Sequence, residues 1–294
     1  MIANNTDLKK YIAQEVEKYA GVIVPVRSSL WRRMLIHRLP VDRLHPNPED
    51  EFSIPGIGPS FEIITRYQNE IAQRRYVDRK ATFEKPLIVE RIRPDGYLLL
   101  NGHHRWAAAL RLGMTRVPVK IINLTQEMYI RKMLSSATRN RRVTLDLDEV
   151  VFHTITGEEP EKPLAFPFSL FFKERLYRGV PALFSFLNSK GYDVWVYTAQ
   201  YISMEHIATL FRLYHAPLNG IITGVHRKSL KNQINQKRLE ASIANQYEAS
   251  LHITRESVLL IRGDTKEYEE YPLTGDGTSW SREIMDIVGK LGKK

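Results

Sequence analysis

Acidic and hydroxyl side chains directly follow three apolar segments in the C-terminal half of the chain. Asp146 and Asp148 end the segment VTLDLD, Thr198 follows WVY, and Asp264 follows LLIRG. We expect these groups to meet, because the carboxyl ends of parallel strands lie at one edge of a sheet. The side chains of Asp146 and Asp264 can then hold Mg²⁺ with one backbone carbonyl, while a second acid stays free to exchange protons. We therefore predict a metal site at Asp146, Asp148 and Asp264. Thr198 and a downstream lysine can bind the oxygens of a phosphoryl group.

A second candidate site is the string NGHHR, residues 101–105, where a predicted strand runs into a predicted helix. Gly102 lets the backbone approach an anion, and the start of the helix offers unpaired amides. Arg105 adds a planar charged group that suits phosphate. The string therefore predicts a phosphate-binding turn without a P-loop, whose G-x-x-x-x-G-K-[ST] pattern does not occur in this sequence.

The elements around this turn predict a compact mixed α/β unit. Periodicity indicates helices over Leu8–Tyr19, Phe61–Tyr76 and His104–Leu112. Strands are predicted at LIHRLP, KPLIVERI, GYLLL and VPVKIINL.

The C-terminal half shows strands that alternate with helices. The strands are VTLDLDEVVF, YDVWVYTA, GIIT and SVLLIRGD, and the helices lie near Val180–Lys190, Met204–Tyr214 and Leu239–Leu251. This alternation predicts a doubly wound sheet with right-handed crossovers. We place the boundary near residue 140, which gives domains over 1–140 and 141–294.

Composition narrows the class of protein. The chain has 294 residues, of which 43% are hydrophobic and 26% charged, as in folded two-domain proteins. No apolar run reaches the roughly 18 residues that a membrane helix needs, and the start of the chain is too polar for a secretory signal. We therefore expect a cytoplasmic protein without membrane contact. The absence of cysteine excludes disulfides, thiol nucleophiles and cysteine-ligated metals, and leaves oxygen-ligated magnesium open.

Positive charge is concentrated in the first domain. Residues 1–140 carry a net charge of +9, and the remaining residues carry +1. This asymmetry favours nucleic acid or a nucleotide as the partner, although a merely soluble basic surface is an equal alternative. A nucleic-acid track, or else a solvated helical face, is predicted at Arg66, Arg74, Arg75, Arg79 and Lys80.

Three ordered motifs of the C-terminal half resemble the haloacid dehalogenase-like phosphohydrolases. The D-x-D-x-[TV] pattern is present as DLDEV from Asp146, the threonine motif as WVYTA around Thr198, and the last acidic motif as GD at Asp264. The resemblance implies that Asp146 is the nucleophile that forms an aspartyl-phosphate. It makes Asp148 the general acid and then the base that helps activate water, and Thr198 a phosphoryl-binding group.

The same resemblance implies a lysine and a second late acid. We assign the lysine to Lys228, with Lys231 as second choice, because Lys228 follows the strand GIIT after a loop. Tyr268 stands at one usual position of the late acid, so that Glu267 or Glu269 would substitute. The spacing between the first two motifs accommodates the family's squiggle and flap. It leaves little room for more than a minimal cap on a Rossmann-like domain.

The string NGHHR and its flanks resemble the ParB/sulfiredoxin superfamily. The glycine-centred box of that superfamily reads G-E-R-R in partition proteins and D-G-H-H-R in the branch of the free-serine kinases, to which this chain is closer. The resemblance implies a small α+β domain in which Gly102, His103, His104 and Arg105 hold the phosphates of a nucleotide. Asn101 replaces the aspartate of that branch, and the reactive cysteine of sulfiredoxin is absent, which excludes that activity.

An acid in the loop before the box completes this site. Glu49 or Glu51 would be the base that deprotonates an acceptor hydroxyl. The resulting hypothesis is a bifunctional enzyme, in which a kinase uses ATP or another nucleoside tri- or diphosphate and a magnesium-dependent phosphatase acts on nucleic acid ends or nucleotides. Alternatives are a ParB-like DNA-binding nucleotide switch fused to a phosphatase, and a kinase/phosphatase for serine or a related metabolite.

Overall fold

The computed structural model describes residues 4–19, 21–78, 81–152, 159–224, 246–262, 268–275 and 279–291. The chain divides into two compact units, residues 1–123 and 124–294. The division falls earlier than the boundary that we expected near residue 140. The physical reason is that Ile130, on the helix before residue 140, packs on Trp195 and Ile222 of the second unit.

The first unit is built on a six-stranded mixed sheet. Its strands are β1 (Val24–Pro25), β2 (Ile36–Pro40), β3 (Leu44–Pro46), β4 (Leu87–Arg93), β5 (Tyr97–Asn101) and β6 (Arg116–Ile122). The order is β2-β6-β4-β5-β3, and β1 pairs with β4. The pairs β4–β6 and β3–β5 are parallel, and the others are antiparallel. The helices are α1 (Asn5–Tyr19), α2 (Leu30–Met34), α3 (Phe61–Val77) and α4 (His103–Arg111).

Packing fixes the strand and the helix that flank Gly102. The leucines of β5 are buried, whereas Asn101 at its end is exposed. On α4, residues 106–109 are fully buried, and the Trp106 indole donates a hydrogen bond to the Val41 carbonyl over 3.2 Å. Because burial of such an aromatic side chain is strongly stabilising, the position of the start of α4 is set by the core.

The second unit contains a second six-stranded sheet. Its strands are β7 (Arg141–Asp146), β8 (Tyr192–Thr198), β9 (Gly220–Thr223), β10 (Ala249–Ile253), β11 (Ser257–Arg262) and β12 (Tyr268–Pro272). The order is β12-β11-β10-β7-β8-β9. The described helices are α5 (Glu127–Ser135), α6 (Val180–Ser189), α7 (Met204–Leu213) and α8 (Trp280–Leu291). Residues of α6, α7 and α8 share one core with the sheet, whereas Ile130 of α5 packs in a separate cluster with Trp195 of β8.

Strand direction in the second sheet differs from our expectation. The strands β10, β7, β8 and β9 are parallel to one another, but β11 runs antiparallel to β10. The segment SVLLIR is therefore not the parallel strand that we predicted. Instead, residues that we assigned to the end of a helix, Ala249–Leu251, begin the parallel strand β10. The segment Ala249–Ile253 is a strand because it pairs with β7, and such long-range pairing cannot be inferred from local periodicity.

No helix among the described residues is both long enough and apolar enough to span a membrane.

Candidate functional site

The first candidate site is the turn between β5 and α4. Gly102 is the residue before the helix and has φ 100° and ψ 25°, in the left-handed region. No side chain caps the helix, and the first intrahelical bond runs from the Trp106 amide to the Gly102 carbonyl over 2.9 Å. The amides of residues 103–105 therefore lie at the positive end of the helix dipole, which is an arrangement that attracts phosphate.

Close packing around Gly102 explains why glycine is needed there. A Cβ atom at this position would lie 2.5 Å from Cδ2 of Leu87 and 2.9 Å from Nη2 of Arg105. Such distances are overlaps. The turn thus combines a conformation that L-residues avoid with space that only a hydrogen atom fills.

Arg105 is held beside this glycine by main-chain oxygens. Its Nη1 donates to the carbonyl of Pro86 over 3.2 Å and also to that of Lys85 at 2.5 Å. Its Nη2 donates to Oδ1 of Asn101 over 3.2 Å. These contacts fix the guanidinium within the turn, where Asn101 orients the cation.

The two histidines hold the preceding loop against α4. Nε2 of His103 accepts a hydrogen bond from the Asn47 amide over 3.3 Å. Nε2 of His104 accepts one from the Ser60 amide over 3.1 Å. Both imidazoles act as acceptors in these contacts, which requires that they be neutral. The histidines are thus placed to shape the site, rather than to supply positive charge.

Burial keeps these imidazoles neutral. Desolvation lowers the pKa of His103 to about 4. Asp50 opposes this shift with a smaller effect, and its Oδ1 lies 3.6 Å from Nδ1 of His103. Desolvation also lowers the pKa of His104. Phe52 is buried between them, with ring centroids 5.3 Å from His103 and 5.1 Å from His104.

The predicted acids lie in the loop that the histidines hold. Glu49 is half-buried, and its amide donates to Oδ1 of Asn47 over 3.0 Å. Glu51 is exposed and begins a single helical turn, which Asp50 caps through the Phe52 amide. Both acids therefore belong to a loop that is anchored to the glycine box, and their roles stay predictions.

The second candidate site lies at the carboxyl end of β7. A single π-helical turn, Leu147–Val151, follows the strand, and Oδ1 of Asp146 caps it. That oxygen accepts from the Asp148 amide over 2.7 Å and from the Glu149 amide over 3.2 Å. These amides form a small anion-binding turn around the Asp146 carboxylate.

Asp148 and Thr198 are brought together, as the sequence predicts. The Thr198 hydroxyl, which is fully buried, donates to Oδ2 of Asp148 over 2.6 Å. Desolvation raises the pKa of Asp148, the hydrogen bond from Thr198 opposes this rise, and the nearby Asp146 adds to it. Within the described part of the chain, Oδ1 of Asp148 is buried and has no hydrogen-bond partner. Burial thus raises the affinity of this carboxylate for a proton above its usual value, which suits a group that exchanges protons.

Sequence reasoning missed His252 and Arg255, which β10 brings to this region. The Nε of Arg255 donates to the Glu149 carbonyl over 2.7 Å, and its guanidinium also contacts the Tyr177 hydroxyl. His252 contacts the Thr144 hydroxyl through Nδ1 over 3.1 Å. Burial lowers the pKa of His252, whereas Glu149 and Asp146 raise it. The signal for both residues was the strand β10, whose first three residues we assigned to the end of a helix.

The described residues do not complete the magnesium site that we predicted. Asp146 and Asp148 share the strand edge, but no group of three histidine, cysteine or acidic side chains suited to a metal occurs in the described ranges. The prediction for Asp264 assumed that its strand is parallel to β7. That assumption is wrong, because β11 runs antiparallel to β10. Arg262, at the carboxyl end of β11, pairs with Ala249. Ala249 pairs with Arg141, which begins β7, whereas Asp146 ends β7. We therefore assign no step to a metal ion.

Several predicted site residues fall outside the described residues, namely Lys228, Lys231, Gly263, Asp264 and Glu267. Glu269 is described, and it does not join Asp146. It lies on the outer strand β12, where it accepts from Arg262 over 3.1 Å and contacts the Tyr271 hydroxyl. Tyr268 is exposed on the same strand.

The predicted basic track on α3 is partly neutralised. Arg74 forms salt bridges with Glu70 and Glu84 over 3.3 and 2.9 Å. Arg75 donates to the Ala81 carbonyl. Arg79 and Lys80 lie outside the described residues.

Comparison with known proteins bears mainly on the first site. Residues 74–138 match the model of the ParB N-terminal domain, a span that contains β4, β5, the glycine box and α4. No curated protein matches the chain.

Three solved structures align with the chain, each with a low TM-score. The C-terminally truncated partitioning protein ParB from Caulobacter crescentus, complexed with CTP-gamma-S, aligns at 26% identity over 36% of this chain and 56% of that chain, with a TM-score of 0.25. A mutant free serine kinase in complex with AMP aligns at 13% identity over 92% and 85%, with a TM-score of 0.25. A conserved hypothetical protein from Pyrococcus furiosus aligns at 13% identity over 91% of this chain and 88% of that chain, with a TM-score of 0.25. This chain thus spans about half the length of the ParB chain that it matches.

We expect Gly102→Ala to destabilise the first unit more than Gly113→Ala does. Both glycines have positive φ, but a Cβ at Gly113 would meet nothing within 4 Å. Backbone strain costs about 1–3 kcal/mol in either variant, and Gly102→Ala adds the overlap with Leu87. Urea unfolding of each full-length variant measures the difference. Equal losses of unfolding free energy would contradict the packing role of Gly102.

Acidification below pH 6.5 should destabilise α4. The pKa of His103 is about 4 in the folded protein and about 6.5 when exposed, so protons favour the unfolded state. Its stabilising contribution is complete above pH 6.5 and falls by about 1.4 kcal/mol per pH unit as the pH drops toward 4. Hydrogen exchange of α4, corrected for intrinsic rates, measures this slope. His103→Gln keeps an acceptor for the Asn47 amide and should flatten the slope, and an unchanged slope would refute the assignment.

Proposed function

We propose that the first unit binds the phosphates of a nucleoside tri- or diphosphate at the Gly102 turn and transfers a phosphoryl group to a hydroxyl acceptor. The observation that carries this proposal is the left-handed glycine that opens an uncapped helix beside the Arg105 guanidinium. The ParB N-terminal match over the same residues supports it. ATP is the first donor to test.

In this proposal, each group of the box has a separate task. The amides of residues 103–105 bind phosphate oxygens, and Arg105 offsets their charge. His103 and His104, neutral and bound to loop amides, keep Glu49 and Glu51 near the acceptor. One of these carboxylates takes the proton of the acceptor hydroxyl. The hydroxyl oxygen attacks the terminal phosphorus, and the nucleotide leaves with one phosphate fewer.

Arg105→Ala should weaken nucleotide binding about tenfold or more, because it removes a charge-assisted contact to phosphate. Arg111→Ala is the matched control, since Arg111 lies at the other end of α4 and bonds to Gln68 and Asn5. Equilibrium dialysis with labelled ATP, ADP and CTP measures binding. Equal binding by both variants would contradict the proposed site.

Transfer is tested with γ-labelled ATP and three acceptors: a 5′-hydroxyl oligonucleotide, a nucleoside and free serine. Glu49→Gln and Glu51→Gln should differ, because only one carboxylate serves as the base. The base variant should lose transfer about 10²–10⁴-fold and retain nucleotide binding. The acceptor that is labelled separates an enzyme of nucleic acid ends from a serine-type kinase, and no labelling of any acceptor would reject transfer.

A second function, phosphomonoester hydrolysis by the second unit, is favoured by the geometry around Asp146. A carboxylate at a strand end, a π-helical turn after it and a buried threonine bonded to Asp148 together suit an aspartyl-phosphate mechanism. An Asp146 oxygen attacks phosphorus, and Asp148 protonates the departing alcohol. Water then cleaves the acyl phosphate, with Asp148 accepting its proton, and Thr198 keeps Asp148 in place. The two units together would make the chain a bifunctional enzyme acting on nucleic acid ends or nucleotides.

Asp146→Asn should abolish phosphate release from an aryl phosphate and from a 3′-phosphorylated oligonucleotide, because an amide is a poor nucleophile. Glu149→Gln is the control, since Glu149 is exposed on the same turn. The measurement is colorimetric phosphate release with and without Mg²⁺. Equal rates for Asp146→Asn and the parent would reject Asp146 as the nucleophile.

A further inference from the structure

An exposed apolar patch with positive charge lies on the first unit, away from the groups assigned above. We call it the α2–β2 surface, and it consists of Leu30, Trp31, Leu35 and Ile36 with Arg32, Arg38, Arg116 and Lys120. Trp31 is 74% exposed, Ile36 64% and Leu35 58%. Large apolar side chains grouped in this way on a folded unit mark a site of interaction.

The residues of this surface are joined by pairing and hydrogen bonds. Leu35 alone separates α2 from β2, and Nε2 of His37 lies 2.7 Å from the Arg32 carbonyl. Ile36 pairs with Lys120 across the β2–β6 ladder. The Arg116 guanidinium donates to the Arg38 carbonyl over 2.6 and 3.1 Å. The apolar side chains and the cations therefore belong to one continuous surface.

Charge on the α2–β2 surface has one sign. Residues 19–41 and 96–126 contain no aspartate or glutamate. Among the described residues, none of the four cations of the surface forms a salt bridge. Such a surface attracts a polyanion through long-range forces and direct phosphate contacts.

We propose that the α2–β2 surface binds single-stranded nucleic acid, with a base stacked on Trp31 and the backbone phosphates on the cations. Exposed aromatic rings beside arginines are the means by which proteins bind unpaired strands without sequence preference. Pairing with a second copy of the chain is disfavoured, because a two-fold interface would place these like charges opposite one another. The proposal does not depend on either candidate site being catalytic.

The first test measures binding of the full-length protein to a fluorescein-labelled oligothymidylate of about 20 nucleotides. Anisotropy is recorded in EDTA without added nucleotide, so that catalysis plays no part. We expect binding that weakens as salt rises, and stronger binding to the single strand than to a duplex of equal length. Trp31→Ala should weaken binding about tenfold, whereas Trp31→Phe, which still stacks, should stay near the parent.

Charge variants provide the second test. The double variant Arg32→Glu with Arg38→Glu should weaken binding more than Trp31→Ala does and reduce the slope of affinity against salt. Lys10→Glu is the matched control, because Lys10 is an exposed lysine of α1 outside the surface. The circular dichroism of each variant should equal that of the parent.

Three outcomes would overturn the proposal. The first is parent-like oligothymidylate binding by both Trp31→Ala and the double variant. The second is loss of binding to phosphatidylserine vesicles in Trp31→Ala while oligothymidylate binding stays unchanged, which would assign the surface to a membrane. The third is a dimer of the parent that sedimentation shows to dissociate in Trp31→Ala without any change in nucleic acid binding.

Discussion

The conformation of one residue, Gly102, sets the geometry of the turn between β5 and α4 in the first unit. Its left-handed backbone lets a buried strand turn directly into α4, and its missing side chain leaves space for Leu87 and Arg105. A helix that begins in this way presents amides without a capping side chain. An anion at such a helix end would satisfy these amides and the helix dipole, and the proposed nucleotide phosphates would occupy that position.

The two histidines beside this turn are neutral hydrogen-bond acceptors and not charged groups. A pair of histidines in a phosphate site would ordinarily be expected to contribute charge. Here, burial lowers both pKa values, and each ring accepts a hydrogen bond from a backbone amide of the loop that carries Glu49 and Glu51. The rings therefore link the shape of the acid-bearing loop to the helix that would bind the nucleotide.

The glycine box was predictable because everything it needs is local. Strand, glycine, helix start and arginine lie within a few residues, so sequence alone predicted the turn. Sequence also predicted that Asp148 and Thr198 lie at the same edge of a parallel sheet, although it did not predict the hydrogen bond between them. The direction of β11 was not predictable in the same way. The segment ASLHI of β10 has only five residues, and its place in the sheet is set by pairing with β7, which lies far earlier in the chain. The prediction for Asp264 depended on the direction of β11. Arg255 was missed because it follows β10, whose position in the sheet is set by the same long-range pairing.

Nuclear magnetic resonance of the isotope-labelled protein during addition of ATP tests the central claim most directly. We expect the backbone amides of His103, His104 and Arg105 to shift most and together, with one common affinity. We also expect these shifts to be absent when inorganic chloride replaces the nucleotide at equal ionic strength. Shifts that leave these three amides unchanged and occur elsewhere in the chain would contradict the account.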